Sequence, residues 1–180
     1  MPRYICSAFI YPLLFGLVLA TGLFIRSAHT MSDPASPATE AEMIAAVSQV
    51  LDRFHTAASQ ADGETYFSLF AADGVFLGTD KSERWSVEAF KAYALPSFSA
   101  GRGWTYVMNA RHINITPDGQ TAWFDEILQS EAYGTARGTG VLIRTRGGWK
   151  ISQYHLTFPM PNDLAGDFTT LIKAWEREQN

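Results

Sequence analysis

The chain has 180 residues, 14 basic against 18 acidic side chains and one cysteine, for a net charge of −4. That balance, with no basic patch interleaved with aromatics, argues against a nucleic-acid partner. The one cysteine, Cys6, lies in an N-terminal apolar run, so the remaining chain has no thiol for a disulfide, a zinc–thiolate site or a cysteine nucleophile.

Residues 4–25 carry no charge and are flanked by Arg3 and Arg26. The pattern fits a secretory signal or an uncleaved anchor over residues 1–30. Pro12, Gly16 and Gly22 make it a poor straight helix, and Ala20-Thr21-Gly22 offers a small-x-small cleavage site. The expected location is therefore exported (periplasmic or secreted) or membrane-anchored, with the membrane met only through this segment. A start at Met31 would instead give a cytoplasmic domain. Residues 31–39 read as a polar, proline-containing linker, and residues 40–180 as one domain carrying about −6.

Thr39-Glu40-Ala41-Glu42 is a capping box opening a helix. Its core stripe is Ile44, Val47, Val50, Leu51, Phe54 and Ala58, at helical spacing. The helix stops near Asp62-Gly63, and Asp62 caps a short second helix with Tyr66, Phe67 and Phe70. Asp73-Gly74 turns into a brief strand over residues 75–77. Ser86 caps a third helix ending at Leu95, before Pro96, with Phe90, Tyr93 and Ala94 inward. After Gly101-Arg102-Gly103 the signal changes to antiparallel strands at residues 104–115, 121–131, 135–145 and 149–158. Pro159-Met160-Pro161 blocks the last one, and Asn162 or Asp163 caps a closing helix to about Trp175. Helices followed by an antiparallel meander make an α+β fold.

This order resembles the nuclear transport factor 2-like superfamily and, within it, the SnoaL-like group, over about residues 42–158. The residues that carry the resemblance are Phe70-Ala71-Ala72-Asp73-Gly74-Val75-Phe76, Thr79-Asp80, Arg84-Trp85, Ala122-Trp123 and Gly148-Trp149-Lys150-Ile151. The tryptophan strand ending in Tyr154-His155 is the most telling. The resemblance implies a cone-shaped fold with N-terminal helices on a curved antiparallel sheet and a C-terminal helix. It implies a small-molecule pocket without naming an activity, and it nominates Asp80, Arg84 and Trp85 as the pocket rim.

Strand parity supplies further candidates. With Ile151 facing the core, Trp149, Gln153, His155 and Thr157 share its face. A three-residue loop at Arg146-Gly147-Gly148 sets Ile143 opposite Ile151, Thr139 opposite His155 and Arg137 opposite Thr157. A two-residue loop that set Arg144 opposite Ile151 would give a poor core pair. On the preceding strand, a three-residue turn turns Asp125, Trp123, Ile127 and Gln129 inward, whereas a two-residue turn selects Glu126 with Phe124 and Leu128. Asp125 is preferred because its register keeps Gln129 beside Arg137.

The candidate catalytic set is therefore Asp125 or Glu126 as proton carrier, with Arg137 and His155 as anion clamp or oxyanion stabiliser. Each also has a bland reading, as a sheet-stabilising ion pair or a histidine satisfied by Thr139. Tyr66, Trp104, Trp123 and Gln153 complete the ligand contacts, although Tyr66 and Trp104 need no explanation beyond core packing. His55 and His112 read as boundary residues. No His-x-His, His-x-x-x-His or Glu-x-x-His spacing appears, so no metal is expected. Gly138-Thr139-Gly140 lacks the setting of a dinucleotide loop, so no cofactor is expected either. Two functions follow: a cofactor-independent acid/base enzyme (isomerase, dehydratase or cyclase type) on a small apolar substrate, or a non-catalytic ligand-binding domain. Tyr154, Leu156 and Phe158, read as outward, suggest a homodimer through the outer face of the sheet.

Overall fold

The computed structural model describes residues 38–179. The expected signal or anchor, the alternative start at Met31 and most of the linker lie outside the described residues. No helix among the described residues is long and apolar enough to cross a membrane.

The first helix, α1 (Glu40–Ser59), begins at the expected capping box: the Thr39 hydroxyl accepts from the Glu42 backbone N–H, and Glu42 reaches back. It buries Val47, Leu51, Phe54, Ala57 and Ala58, the stripe that its periodicity predicts. Asp62 caps α2 (Gly63–Ser68) by accepting from Thr65 N–H. Then come β1 (Phe70–Leu77), β2 (Arg84–Ser86) and α3 (Val87–Ser99), which Ser86 caps. Helix α3 runs through Pro96 instead of stopping before it. Pro96 and Ala92 both face solvent, while Phe90, Ala94 and Phe98 stay buried. Keeping Phe98 in the core offsets the missing backbone hydrogen bond.

Strands β3 (Val107–Ile115), β4 (Thr121–Ser130), β5 (Gly134–Thr145) and β6 (Gly148–Thr157) form the meander. The sheet order is β2-β1-β6-β5-β4-β3. Strand β1 pairs with β6 in parallel, so the sheet is mixed rather than purely antiparallel. Helices α1 to α3 cover its inner face. A short 3-10 turn, Asn162–Leu164, leads into α4 (Ala165–Glu178) without a side-chain cap. Helix α4 buries no residue, and Phe168, Leu171, Ile172 and Trp175 are exposed along it.

The register of β6 decides which side chains face inward. The β5–β6 turn has two residues, Arg146 and Gly147, with Thr145 opposite Gly148. Gly148 has φ 102°, a conformation that favours glycine, and its carbonyl accepts from the Thr145 hydroxyl at 2.7 Å. Leu142 therefore opposes Ile151. A β-bulge then intervenes, and from Val141↔Gln153 onward the pairs are the predicted ones, Thr139 with His155 and Arg137 with Thr157. The extra residue, Ser152, breaks the alternation. Trp149 and Ile151 face the core, and so do Tyr154 and Leu156, while Gln153 and His155 turn outward. The outward placement of Tyr154 and Leu156, the premise for a sheet-face homodimer, is thus corrected.

Candidate functional site

A cavity of about 250 Å³ opens where α3, β1 and β2 meet the end of β6. Its walls are Phe76, Trp85, Phe90, Tyr93, Trp104, Tyr106, Tyr133, Leu156 and Phe158, with Gly78, Thr79 and Glu83 at one side. Several wall residues stack on one another. Phe76 stacks on Phe90 at 3.9 Å, Trp85 on Tyr93 at 5.2 Å, and Tyr133 on Phe158 at 5.2 Å between ring centroids. Trp104 sits at the end of α1, its backbone N–H donating to the Ala58 carbonyl. Its indole meets the ring of Tyr66 edge-on at 5.8 Å between centroids, and burial holds the Tyr66 phenol well above the ordinary tyrosine value. Burial also raises Tyr106, with the nearby Tyr133 adding to the effect. The Tyr106 phenol is therefore a neutral wall and a hydrogen-bond donor at ordinary pH. The loop carrying Glu83 is closed by Gly78 N–H to the Glu83 carbonyl at 2.9 Å and Glu83 N–H to the Asp80 carbonyl at 3.0 Å.

Beside this wall, between α1 and the sheet, lies a buried polar cluster centred on Glu126, which has no exposed surface. Its Oε1 takes hydrogen bonds from His55 Nε2 at 2.8 Å and from the Tyr154 hydroxyl at 2.9 Å. Its Oε2 accepts from Arg111 Nε at 2.8 Å. Arg111 continues to Asp52 at 2.6 Å and to the Ser48 hydroxyl at 3.0 Å. Ser48, Asp52 and His55 are spaced by four and three, so they form one polar strip along α1 beside its apolar stripe. Gly138 makes room for the cluster, since a Cβ there would overlap the Tyr154 hydroxyl and lie 2.8 Å from Glu126 Oε1.

Burial pushes the Glu126 carboxyl up, but hydrogen bonds and charges from His55 and Arg111 outweigh it and leave it below its ordinary 4.5. Tyr154 is driven well above the tyrosine range by burial and by the Glu126 carboxylate. A carboxyl depressed in the folded state stabilises fully above its unfolded value, and that stability is lost as pH falls through the folded value. Unfolding free energy should therefore drop below about pH 4.5. The exposed carboxyls of Glu42, Asp62, Asp80 and Asp118 are lowered too, by hydrogen bonds from Thr39, Thr65, Ser82 and Thr116. The difference between wild type and Glu126→Gln in acid urea titrations isolates the buried group. Parallel curves would contradict its assignment.

Of the sequence-predicted residues, Trp85 and Trp104 line the cavity. Tyr66 is 1% exposed and stacks on Phe54 at 4.4 Å, behind Trp104 rather than in the cavity. Asp80 lies on the adjoining loop, held by the Ser82 N–H at 2.8 Å, and Arg84 is exposed on β2. Asp125, Arg137, Gln153, His155 and Trp123 share a face as predicted, with Asp125 opposite Thr139 and Thr139 opposite His155. That face is the outer one, where Trp123 is 47% exposed and Asp125 and Arg137 are open to solvent. The bulge at Ser152 turns Gln153 and His155 outward. The two-residue β5–β6 turn, which sets Leu142 rather than Ile143 opposite Ile151, turns Arg137 and with it Asp125 and Trp123 outward. Glu126 is the acid that turns inward. Sequence reasoning missed Arg111, Asp52 and Ser48 in the cluster, and Glu83, Tyr93, Tyr106 and Tyr133 at the cavity. Among the described residues no group of three or more His, Cys, Asp or Glu is placed to hold a metal ion.

The folded architecture recurs in solved structures. A domain of unknown function with a cystatin-like fold from Nostoc punctiforme superposes with a TM-score of 0.62 at 15% identity, covering 78% of this chain and 93% of its own. A nuclear transport factor 2-like protein of unknown function from Pseudomonas putida gives 0.55 at 16%, covering 66% and 87%. A candidate dehydratase of the same family from Streptomyces avermitilis gives 0.56 at 18%, covering 68% and 100%. At such identities the likeness establishes the α+β nuclear transport factor 2-like fold. No curated protein matches the chain. The family model for the SnoaL-like domain matches residues 47–161, most of the helical layer and the whole meander, and the chain belongs to the SnoaL-like family.

Proposed function

We propose that the domain binds a small, largely apolar molecule reversibly in the aromatic cavity and releases it unchanged. The observation that supports this reading is the separation of the cavity from the Glu126 cluster and from Asp125, Arg137 and His155. That leaves Glu83 as the one carboxylate on its wall, with no histidine or second carboxylate lining it. An acid/base catalyst must come within hydrogen-bond reach of its substrate. Glu126 is fully buried, with three donors engaged on its two oxygens. Asp125, Arg137 and His155 lie on the opposite side of the sheet. The cavity is instead walled by rings fixed by one another, the arrangement of a preformed recognition site with few polar groups. Its volume of about 250 Å³ falls below the roughly 300–1,000 Å³ usual for drug-sized ligands, so the ligand is small.

The test is a screen of small ring and branched-alkyl compounds against the purified chain, read by quenching or shift of tryptophan fluorescence. Hits are then incubated overnight and recovered for mass spectrometry. Saturable binding with the compound recovered intact is the expected result. A mass change in the recovered compound would establish turnover and overturn the binder reading.

A further inference from the structure

The charges around this cavity narrow the ligand class, an inference that rests on the binding reading above. Glu83 is the one formally charged side chain among the lining residues. The adjoining hollow, which shares Trp104, Tyr106 and Tyr133 as its wall, contributes Glu131. No lysine, arginine or histidine lines either. Glu83 also takes part in none of the ion pairs among the described residues. Its Oε2 accepts the Asp80 backbone N–H at 3.2 Å, and its neighbour Lys81 pairs with Glu176 instead. The Glu83 carboxylate borders the aromatic wall without a cationic partner, and a cation arriving in the cavity would make a charge-assisted contact with it.

The aromatic faces favour the same charge. Trp85, Tyr93, Trp104, Tyr106, Tyr133 and Phe158 surround the space, and ring faces carry negative potential that attracts ammonium groups, tryptophan most strongly. A neutral hydrocarbon would use the rings and leave Glu83 unanswered. An anion would meet the Glu83 carboxylate, with Glu131 in the adjoining hollow, and no cation. A heavily hydrated metal ion would find one carboxylate and too few oxygen ligands. An alkylated ammonium uses both features, because its methyl groups pack against rings while its charge faces the carboxylate.

We infer that the cavity's ligand is a small organic cation, an alkylated ammonium held between aromatic faces and the Glu83 carboxylate. The test compares choline with 3,3-dimethylbutan-1-ol, the same shape with carbon in place of the charged nitrogen. Isothermal titration of the full chain with each compound is the readout. Choline should bind about tenfold or more tighter than the alcohol. The preference should shrink as salt rises, and Glu83→Gln should bring the two affinities together. The comparison on wild type needs no variant, so a misfolded substitution leaves it intact. Equal affinity for both compounds would overturn the cation inference while the binding reading stands. Binding of neutral compounds in the fluorescence screen without any choline binding would do the same. Failure of choline, the alcohol and every screened compound would overturn the binding reading itself.

Discussion

Arg111→Met is expected to destabilise the domain by about 3–5 kcal/mol, because it removes the main countercharge from a carboxylate that has no exposed surface. Glu126 would keep His55 and Tyr154, but neither replaces the guanidinium that bridges it to Ser48 and Asp52 on α1. Glu126→Met should cost a similar amount for the converse reason, leaving a guanidinium whose side chain is 4% exposed without its buried partner. Replacing both at once removes the two buried charges together. An apolar pair of similar volume is often as stable as the ion pair it replaces. The double variant should therefore recover most of the loss, with a coupling energy of about 2 kcal/mol or more. Urea unfolding of the four proteins measures it. Strict additivity of the two single losses would mean that the cluster is not one unit. The cluster bears on the cavity through packing: Tyr154 stacks at 5.9 Å on Phe76, which forms part of the cavity wall.

Gly140→Val carries the second large effect. A Cβ at Gly140 would overlap the backbone carbonyl of Gln153 and lie 2.8 Å from the Phe124 ring. The carbonyl belongs to β6 beside the bulge, so relief requires the backbone itself to move. Overpacking of this kind costs about 3 kcal/mol when flexible side chains cannot absorb it. Thr139→Val, one residue away on the half-buried outer face, should stay within about 0.5 kcal/mol. Thermal unfolding of the two variants separates the claims. Equal, small effects would show that the β5–β6 contact is looser than described.

What the sequence made legible was local. Thr39 with Glu42, Asp62 and Ser86 cap their helices as read, because a cap depends on residues only three apart. The strand order beyond the meander was not legible, since pairing β1 with β6 joins residues some eighty positions apart. The inner face was misassigned for two reasons: the β5–β6 turn has two residues rather than three, so Leu142 and not Ile143 opposes Ile151, and β6 carries a bulge. Parity carried from Ile151 along β6 holds only without a bulge, and nothing in Ser152 announces one. Asp125, Arg137 and His155 were grouped correctly on a common face, and the face was inverted.

Other signals were present and underused. On β3, Arg111 shares parity with Ile113 and Ile115, both packed against the core, so a charge among inward residues marked a buried partner. On α1, Ser48, Asp52 and His55 drew the matching polar strip. The glycines at 138 and 140 marked close approach of Tyr154 and Phe124 rather than a phosphate loop. Glu83, Tyr106 and Tyr133 come from three different loops or strand ends, and no spacing in the chain brings them together.

The most direct test of ligand binding on the concave side is a titration followed by tryptophan indole N–H resonances. The chain has five tryptophans, at 85, 104, 123, 149 and 175, and they report on different surfaces. Addition of choline should shift the Trp85 and Trp104 signals in a saturable way. Trp123 on the outer sheet face and Trp175 on α4 should stay in place. Saturable shifts at Trp123 or Trp175, with Trp85 and Trp104 unmoved, would contradict the assigned site.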